Sequence, residues 1–137
     1  MRPTKTLLVV DDLEHVRDFY RDVAEDKGWA VVEAFDAASF EAALDGPHDA
    51  LILDLAMPSM TGIEGLELMA SRKETAPIVI ASGQDESFLN MSMKLGRDLG
   101  LNMTFRLSKP IQLVKFERTL DMLETSLSRA VGSADAA

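Results

Sequence analysis

An α/β domain, with one parallel five-stranded sheet covered by helices on both faces, is the fold the sequence predicts. Three observations carry it. Apolar runs of strand length recur five times, segments with helical periodicity separate them, and the central run "ALILDL" is apolar nearly throughout, as a strand buried on both faces would be. A chain of 137 residues, 47% of them hydrophobic, suffices for one domain with a sizeable core.

The first strand is read at Thr6–Val10. The helix after it places Val16, Phe19, Tyr20, Val23 and Ala24 on one face, and Lys27-Gly28 is its stop. Trp29–Ala34 follows as the second strand. Asp36 is a good N-cap for a second helix that turns Phe40, Ala43 and Leu44 inward before Gly46-Pro47 ends it. The third strand is Ala50–Leu55, and the third helix, from about Gly62 to Arg72, is expected to bury Ile63, Leu66 and Met69 or Ala70. Ile78–Ala81 is the fourth strand, with a helix over about Glu86–Leu99 behind it. Asn102–Leu107 is the fifth, followed by a last helix from about Gln112 to Ala130.

Right-handed crossovers make this a flavodoxin-like, doubly wound (βα)5 topology with strand order 2-1-3-4-5, counted along the chain. In the last helix Leu113, Phe116, Leu120, Leu123 and Leu127 form a heptad-like seam, most of which packing on the sheet accounts for. Its turns near Leu127 are expected to reach toward a second copy or an effector. The domain is taken as 1–128, with 129–137 a disordered tail or linker stub.

Acidic residues outnumber basic ones 23 to 14, and the net charge of -9 opposes direct contact with nucleic acid or an anionic membrane. The absence of cysteine excludes a disulfide framework and thiolate metal sites and fits a reducing compartment. No apolar run approaches a membrane span, and Met1–Lys5 does not read as a secretory signal. The expectation is a soluble, cytoplasmic domain. His15 is read as a surface residue, and Met57, Met60, Met91, Met93 and Met103 as core filling.

Folds of this class bind ligands outside the carboxyl ends of the strands. Those ends supply Asp11-Asp12, Asp54, Ser82-Gly83 and Lys109-Pro110, while the second strand, ending at Glu33-Ala34, is expected at an edge. An ionised Asp54 beside Leu53 and Leu55 is costly unless it is paired, metal-bound or at the strand's reactive end. Three carboxylates this close raise one another's pKa unless a cation is shared, and a hard divalent ion such as Mg²⁺ suits oxygen donors. Three aspartates, Lys109 and one Mg²⁺ sum to zero formal charge. An aspartate beside such an ion, with a lysine and a hydroxyl, has the parts of a phosphoryl acceptor. Asp54 would be the nucleophile, Lys109 would neutralise charge on the phosphoryl oxygens, and Ser82 would donate a hydrogen bond to the product.

The segments "LLVVDDLEHVRDFY", "DALILDLAMPSMTGIEGLELM", "PIVIASG" and "LSKPI" resemble, in order and spacing, the receiver domain of two-component response regulators, from about Lys5 to Leu127. The resemblance implies that Asp54 takes a phosphoryl group from a histidine kinase or phosphotransfer protein. It implies Mg²⁺ bound by Asp12, Asp54 and the main-chain carbonyl of Ala56, with Asp11 assisting partly through water. Ser82 and Lys109 would contact the phosphoryl group, and Pro110 would set the lysine's turn through a cis peptide. Phosphorylation would shift a pre-existing balance of conformers read by an effector domain or output protein, with slow self-dephosphorylation and no further enzymatic activity.

Two features depart from that family's pattern. The aromatic residue usual three positions before the lysine is here Arg106, and Phe105 has the opposite side-chain parity. Arg106 is therefore expected at the surface, shaping a partner face or pairing with an acid. The stretch "QDESFLNMSMKLGRDLGLNMTF" is long and is similar to that of receivers attached to EAL-type cyclic di-GMP phosphodiesterases. Among rival readings, a haloacid-dehalogenase-type phosphatase needs a second acid where Ala56 stands. A phosphorylation-independent interaction module is disfavoured by the complete acceptor set and mildly favoured by Arg106.

Overall fold

The computed structural model describes residues 4–136, with side chains up to 129. Its elements, in chain order, are β1 (Thr6–Val10), α1 (Glu14–Asp26), β2 (Ala30–Ala34), α2 (Ala37–Leu44), β3 (Ala50–Asp54), β4 (Ala56–Met57), β5 (Met60–Thr61), α3 (Gly62–Ser71), β6 (Ile78–Ser82), α4 (Glu86–Asp98), β7 (Met103–Ser108) and α5 (Leu113–Ala136). The main sheet is parallel throughout, in the order β2-β1-β3-β6-β7. This is the expected doubly wound order, with β2 at an edge. The antiparallel β4-β5 hairpin is additional, its two-residue strands being too short to leave a periodic signal in sequence.

Local chemistry sets several helix starts. Asp36 accepts from the Ser39 amide at 2.8 Å while the Ser39 hydroxyl accepts from the Asp36 amide at 3.1 Å, and Thr61 with Glu64 repeats the device before α3. Asp85 caps α4 through the Phe88 amide at 3.0 Å. Gly28, at φ +91°, follows α1 in the left-handed conformation that its predicted stop requires.

Strand alternation divides the core in two. Leu8, Val10, Leu51, Leu53, Ile78 and Ile80 pack with Phe40, Leu66, Met69, Leu89 and Met93 of α2, α3 and α4. Leu7, Val9, Ile52, Val79, Ala81 and Leu107 pack with Tyr20, Ala24, Phe116, Leu120 and Leu123 of α1 and α5. Among the described residues the buried acidic side chains, Asp11 and Asp54, lie where the strands end.

Several expected burials are corrected. Ile63 is 48% exposed, because α3 buries Gly62, Gly65, Leu66 and Met69 instead. A Cβ on Gly62 would stand 2.9 Å from the Leu55 side chain and one on Gly65 3.2 Å from Leu53, so the glycine edge faces the sheet and Ile63 turns outward. Met91 is exposed, opposite the buried Leu89–Met93–Gly96 side of α4, whereas Met57, Met60, Met93 and Met103 are buried. Leu113 is also exposed, while Phe116, Leu120 and Leu123 lie on the sheet and Leu127 packs at the edge of that layer. Helical backbone continues to Ala136 rather than Ala130, where a tail was expected, and Ala137 lies outside the described residues. Among the described residues no helix is long and apolar enough to cross a membrane.

Helix α4 lies close against β7 at Gly96, where an added Cβ would clash with the Met103 sulfur and stand 2.6 Å from its Cγ. Gly96→Ala is expected to destabilise the fold by about 1–2 kcal/mol, overpacking outweighing the helix-propensity gain. A urea melt checks this, and an unchanged midpoint would show that Met103 yields freely.

Candidate functional site

Alternation that puts Leu7 and Val9 on the α1/α5 face carries Asp11 to the top of the same layer, and Ile52 does so for Asp54. Both are buried, at 0% and 4% exposure, and Asp12 beside them is half-buried. Oxygens of Asp11, Asp12 and Asp54 all lie within 4.8 Å of one another. Lys109 enters from the end of β7, its amide donating to the Ser82 carbonyl at 2.8 Å and the cis Lys109–Pro110 peptide turning the chain. Its ammonium lies 2.7 Å from Asp11 Oδ2 and 3.4 Å from Asp54 Oδ2. One cation thus bridges two buried carboxylates.

The remaining oxygens are tied to the backbone. Asp11 Oδ1 accepts from the Leu13 amide at 3.0 Å, and Asp54 Oδ1 from the Ala56 amide at 3.1 Å. Ser82 is fully buried, and its hydroxyl oxygen accepts from the Gln84 amide at 2.9 Å, which leaves its proton available for donation. The structure therefore brings Asp11, Asp12, Asp54, Ser82 and Lys109 to one rim, as the sequence predicts. Ala56 stands exposed just after Asp54, at the start of the β4-β5 hairpin.

Burial pushes the Asp54 carboxyl above the ordinary carboxylate range, with Asp11 adding to the rise and the Ala56 amide and Lys109 opposing it. Burial alone would lower Lys109, but its bond to Asp11 and the fields of Asp54 and Asp11 leave it above the usual lysine value. A folded-state pKa raised at Asp54 means that the native protein holds this proton more tightly than the unfolded chain does. Stability then falls as pH rises from the unfolded pKa through the folded one, and stays reduced at neutral pH. Asp54→Asn is accordingly expected to raise the metal-free melting temperature at pH 7, with the gain disappearing below about pH 4. A pH series of thermal melts checks the sign.

Two supporting residues escaped the sequence reading. Arg17, on the helix after the acidic pair, donates to the Asp11 carbonyl at 2.9 Å and to Glu33 at 3.0 Å, and Arg21 also reaches Glu33 at 2.9 Å. One guanidinium thus links the Asp11 backbone to Glu33 of β2. The available signal was Arg17 standing beside the apolar stripe of α1, one turn before Tyr20. His15 is exposed, as expected, and His48 pairs with Glu74 in the loops leading into β3 and β6, at their opposite ends.

Arg106 pairs at the surface with Glu86, the first residue of α4, at 3.1 Å. Ile78 faces Met103 while Val79 faces Phe105, so β7 carries one extra residue at Thr104, whose hydroxyl donates to the Ile78 carbonyl at 3.0 Å. The bulge sends Met103 to the α2/α3/α4 core and Phe105 to the α1/α5 layer. Phe105 therefore stays on the opposite face from Arg106, in accord with its parity.

The family model of the response regulator receiver domain matches residues 7–121. The transcriptional regulatory protein CpxR of Escherichia coli (strain K12) is 28% identical over 92 residues, which cover 67% of this chain and 40% of that protein. The alkaline phosphatase synthesis transcriptional regulatory protein PhoP of Bacillus subtilis (strain 168) is 32% identical over 97 residues, covering 69% of this chain and 40% of that one. The chain thus spans about two fifths of the length of these curated relatives. The structure of the chemotaxis response regulator CheY4 of Vibrio cholerae superposes with a TM-score of 0.74 at 25% identity, covering 88% of this chain and 99% of that one. With the strand order, the acidic rim and the bridging lysine in place, the match over residues 7–121 makes this chain a member of the response regulator receiver domain family.

Proposed function

We propose that this receiver is a signalling switch that accepts a phosphoryl group on Asp54 from a histidine kinase or phosphotransfer protein. The observation that carries the reading is the buried Asp54 carboxylate at the end of β3, facing the Lys109 ammonium and flanked by Asp11 and Asp12. In the transfer, an Asp54 carboxylate oxygen attacks the phosphorus of the donor's phosphohistidine. An O–P bond forms, the N–P bond breaks, and the imidazole leaves with the electron pair and takes a proton from solvent. Lys109 would leave the carboxylates to neutralise a phosphoryl oxygen, and Ser82 would turn its hydroxyl proton to another.

The donor set suits Mg²⁺. Asp11, Asp12 and Asp54 offer hard oxygens within 4.8 Å of one another, the Ala56 carbonyl is the proposed main-chain ligand, and three carboxylates against one lysine leave a charge that a divalent ion cancels. When bound, the ion would supply charge neutralisation on the phosphoryl oxygens. The Ala56 methyl carries no polar atom to hold an attacking water, so self-dephosphorylation is expected to be slow to moderate, with no further enzymatic turnover.

Signalling would pass to an effector domain or separate output protein, and the relatives named as transcriptional regulatory proteins illustrate such an output. The receiver is assigned residues 1–128, in a cytoplasmic setting, with α5 the element for joining a second copy or a linker. Intact mass after incubation with acetyl phosphate and Mg²⁺ tests the reading. One phosphoryl adduct that EDTA suppresses is expected. Absence of an adduct with acetyl phosphate and with a phosphohistidine donor would favour the phosphorylation-independent module.

A further inference from the structure

Tyr20 is the one tyrosine of the chain, 1% exposed, and among the described residues its hydroxyl is the buried side-chain polar atom that lacks a hydrogen-bond partner. Such an atom is uncommon in a well-packed interior and calls for a partner such as water or a ligand. The ring is fixed by packing, its centroid 5.0 Å from Phe116 and 6.0 Å from Phe19. Its place in the molecule is specific. Tyr20 belongs to the α1/α5 layer with Val9, Ile52, Ala81 and Leu107, and by alternation Asp11 and Asp54 form the top of that same layer. One turn earlier on α1, Arg17 grips the Asp11 carbonyl at 2.9 Å, which anchors this stretch of helix beside the pocket. The Tyr20 hydroxyl senses both carboxylates: burial, then Asp11, then Asp54 push its pKa far above the ordinary tyrosine value, so it is a neutral donor at any working pH.

We infer that the Tyr20 hydroxyl is a positioning donor of the acceptor site, holding the Asp11 and Asp54 carboxylates from beneath through one buried water. The inference rests on the acceptor reading of Asp54. A donor on the underside matters most when Lys109 turns from the carboxylates toward an incoming phosphoryl group, because the pair then loses its bridging cation. A ring without the hydroxyl would fill the same space and leave the carboxylates less well oriented.

Because the chain has one tyrosine, a ¹³Cζ label reports on this hydroxyl alone. Mg²⁺ titration of the labelled wild type is expected to shift that resonance. Tyr20→Phe is expected to keep or raise the metal-free melting temperature while weakening Mg²⁺ binding, measured by calorimetry, about three- to tenfold, the worth of one hydrogen bond. A resonance that does not move, or Mg²⁺ affinity in Tyr20→Phe within about twofold of wild type, would overturn the inference. If Tyr20→Phe does not fold, the wild-type resonance decides. A wild type that shifts its tyrosine with Mg²⁺ yet takes up no phosphoryl group would defeat the acceptor reading and leave the role of Tyr20 intact.

Discussion

Replacing Lys109 by alanine is expected to lower the metal-free stability of the domain by about 3 kcal/mol, the effect of removing one partner from a buried charge pair. Lys109 is 20% exposed at its side chain, while the carboxylates it joins, Asp11 and Asp54, are almost fully buried. Those carboxylates keep their backbone donors, the Leu13 and Ala56 amides, but lose a cation within 4 Å of both. Mg²⁺ occupying the same cluster would replace that charge, and at a hundredfold excess over its Kd it would return about 2.7 kcal/mol. Urea melts of Lys109→Ala in EDTA and in excess Mg²⁺ are expected to differ markedly, the Mg²⁺ melt approaching that of wild type. A variant as stable as wild type in EDTA would mean that the pair contributes nothing net to the fold.

Asp54→Ala is expected to abolish phosphoryl uptake altogether, although Asp11 and Asp12 remain. The geometry distinguishes the three. Asp11 is committed, its two oxygens held by Lys109 at 2.7 Å and the Leu13 amide at 3.0 Å, with no exposed surface. Asp12 is half-buried and, among the described residues, has no lysine within salt-bridge distance. Asp54 holds Lys109 at the looser 3.4 Å, and burial raises its pKa above the ordinary aspartate value, which makes its carboxylate a more basic and better nucleophile than a solvated aspartate. Intact mass of the variant beside wild type, after acetyl phosphate and Mg²⁺, reads the result. An adduct of equal yield on the variant would place the acceptor elsewhere.

The rim was legible in sequence because parallel strands end together. Once five apolar runs are aligned by their carboxyl ends, Asp11, Asp12, Asp54, Ser82 and Lys109 converge without knowledge of any contact. Helix starts at Asp36 and near Gly62 were legible for a similar reason, capping chemistry being local. Other features depend on what lies opposite. Ile63 and Met91 have the right spacing for burial, but close approach of glycine edges turns both helices so that these side chains face outward. The extra residue at Thr104 is a property of the β6-β7 register, and no composition marks it. Tyr20 was recognised as a core position of α1, yet only packing leaves its hydroxyl buried without a partner in the layer that Asp11 and Asp54 top. The exposed pair of Arg106 with Glu86 was foreseen in kind, an acid at the surface, with its partner fixed by the start of α4.

Trapping the phosphoryl group chemically tests directly whether it resides on Asp54. Treating the protein with acetyl phosphate and Mg²⁺, reducing the acyl phosphate with borohydride and sequencing the peptides by mass spectrometry locates the modified side chain. Residue 54 is expected to be read as homoserine, with Asp11 and Asp12 unchanged. Homoserine at either of the other two positions, or no reduced residue in a protein that carries the adduct, would contradict it.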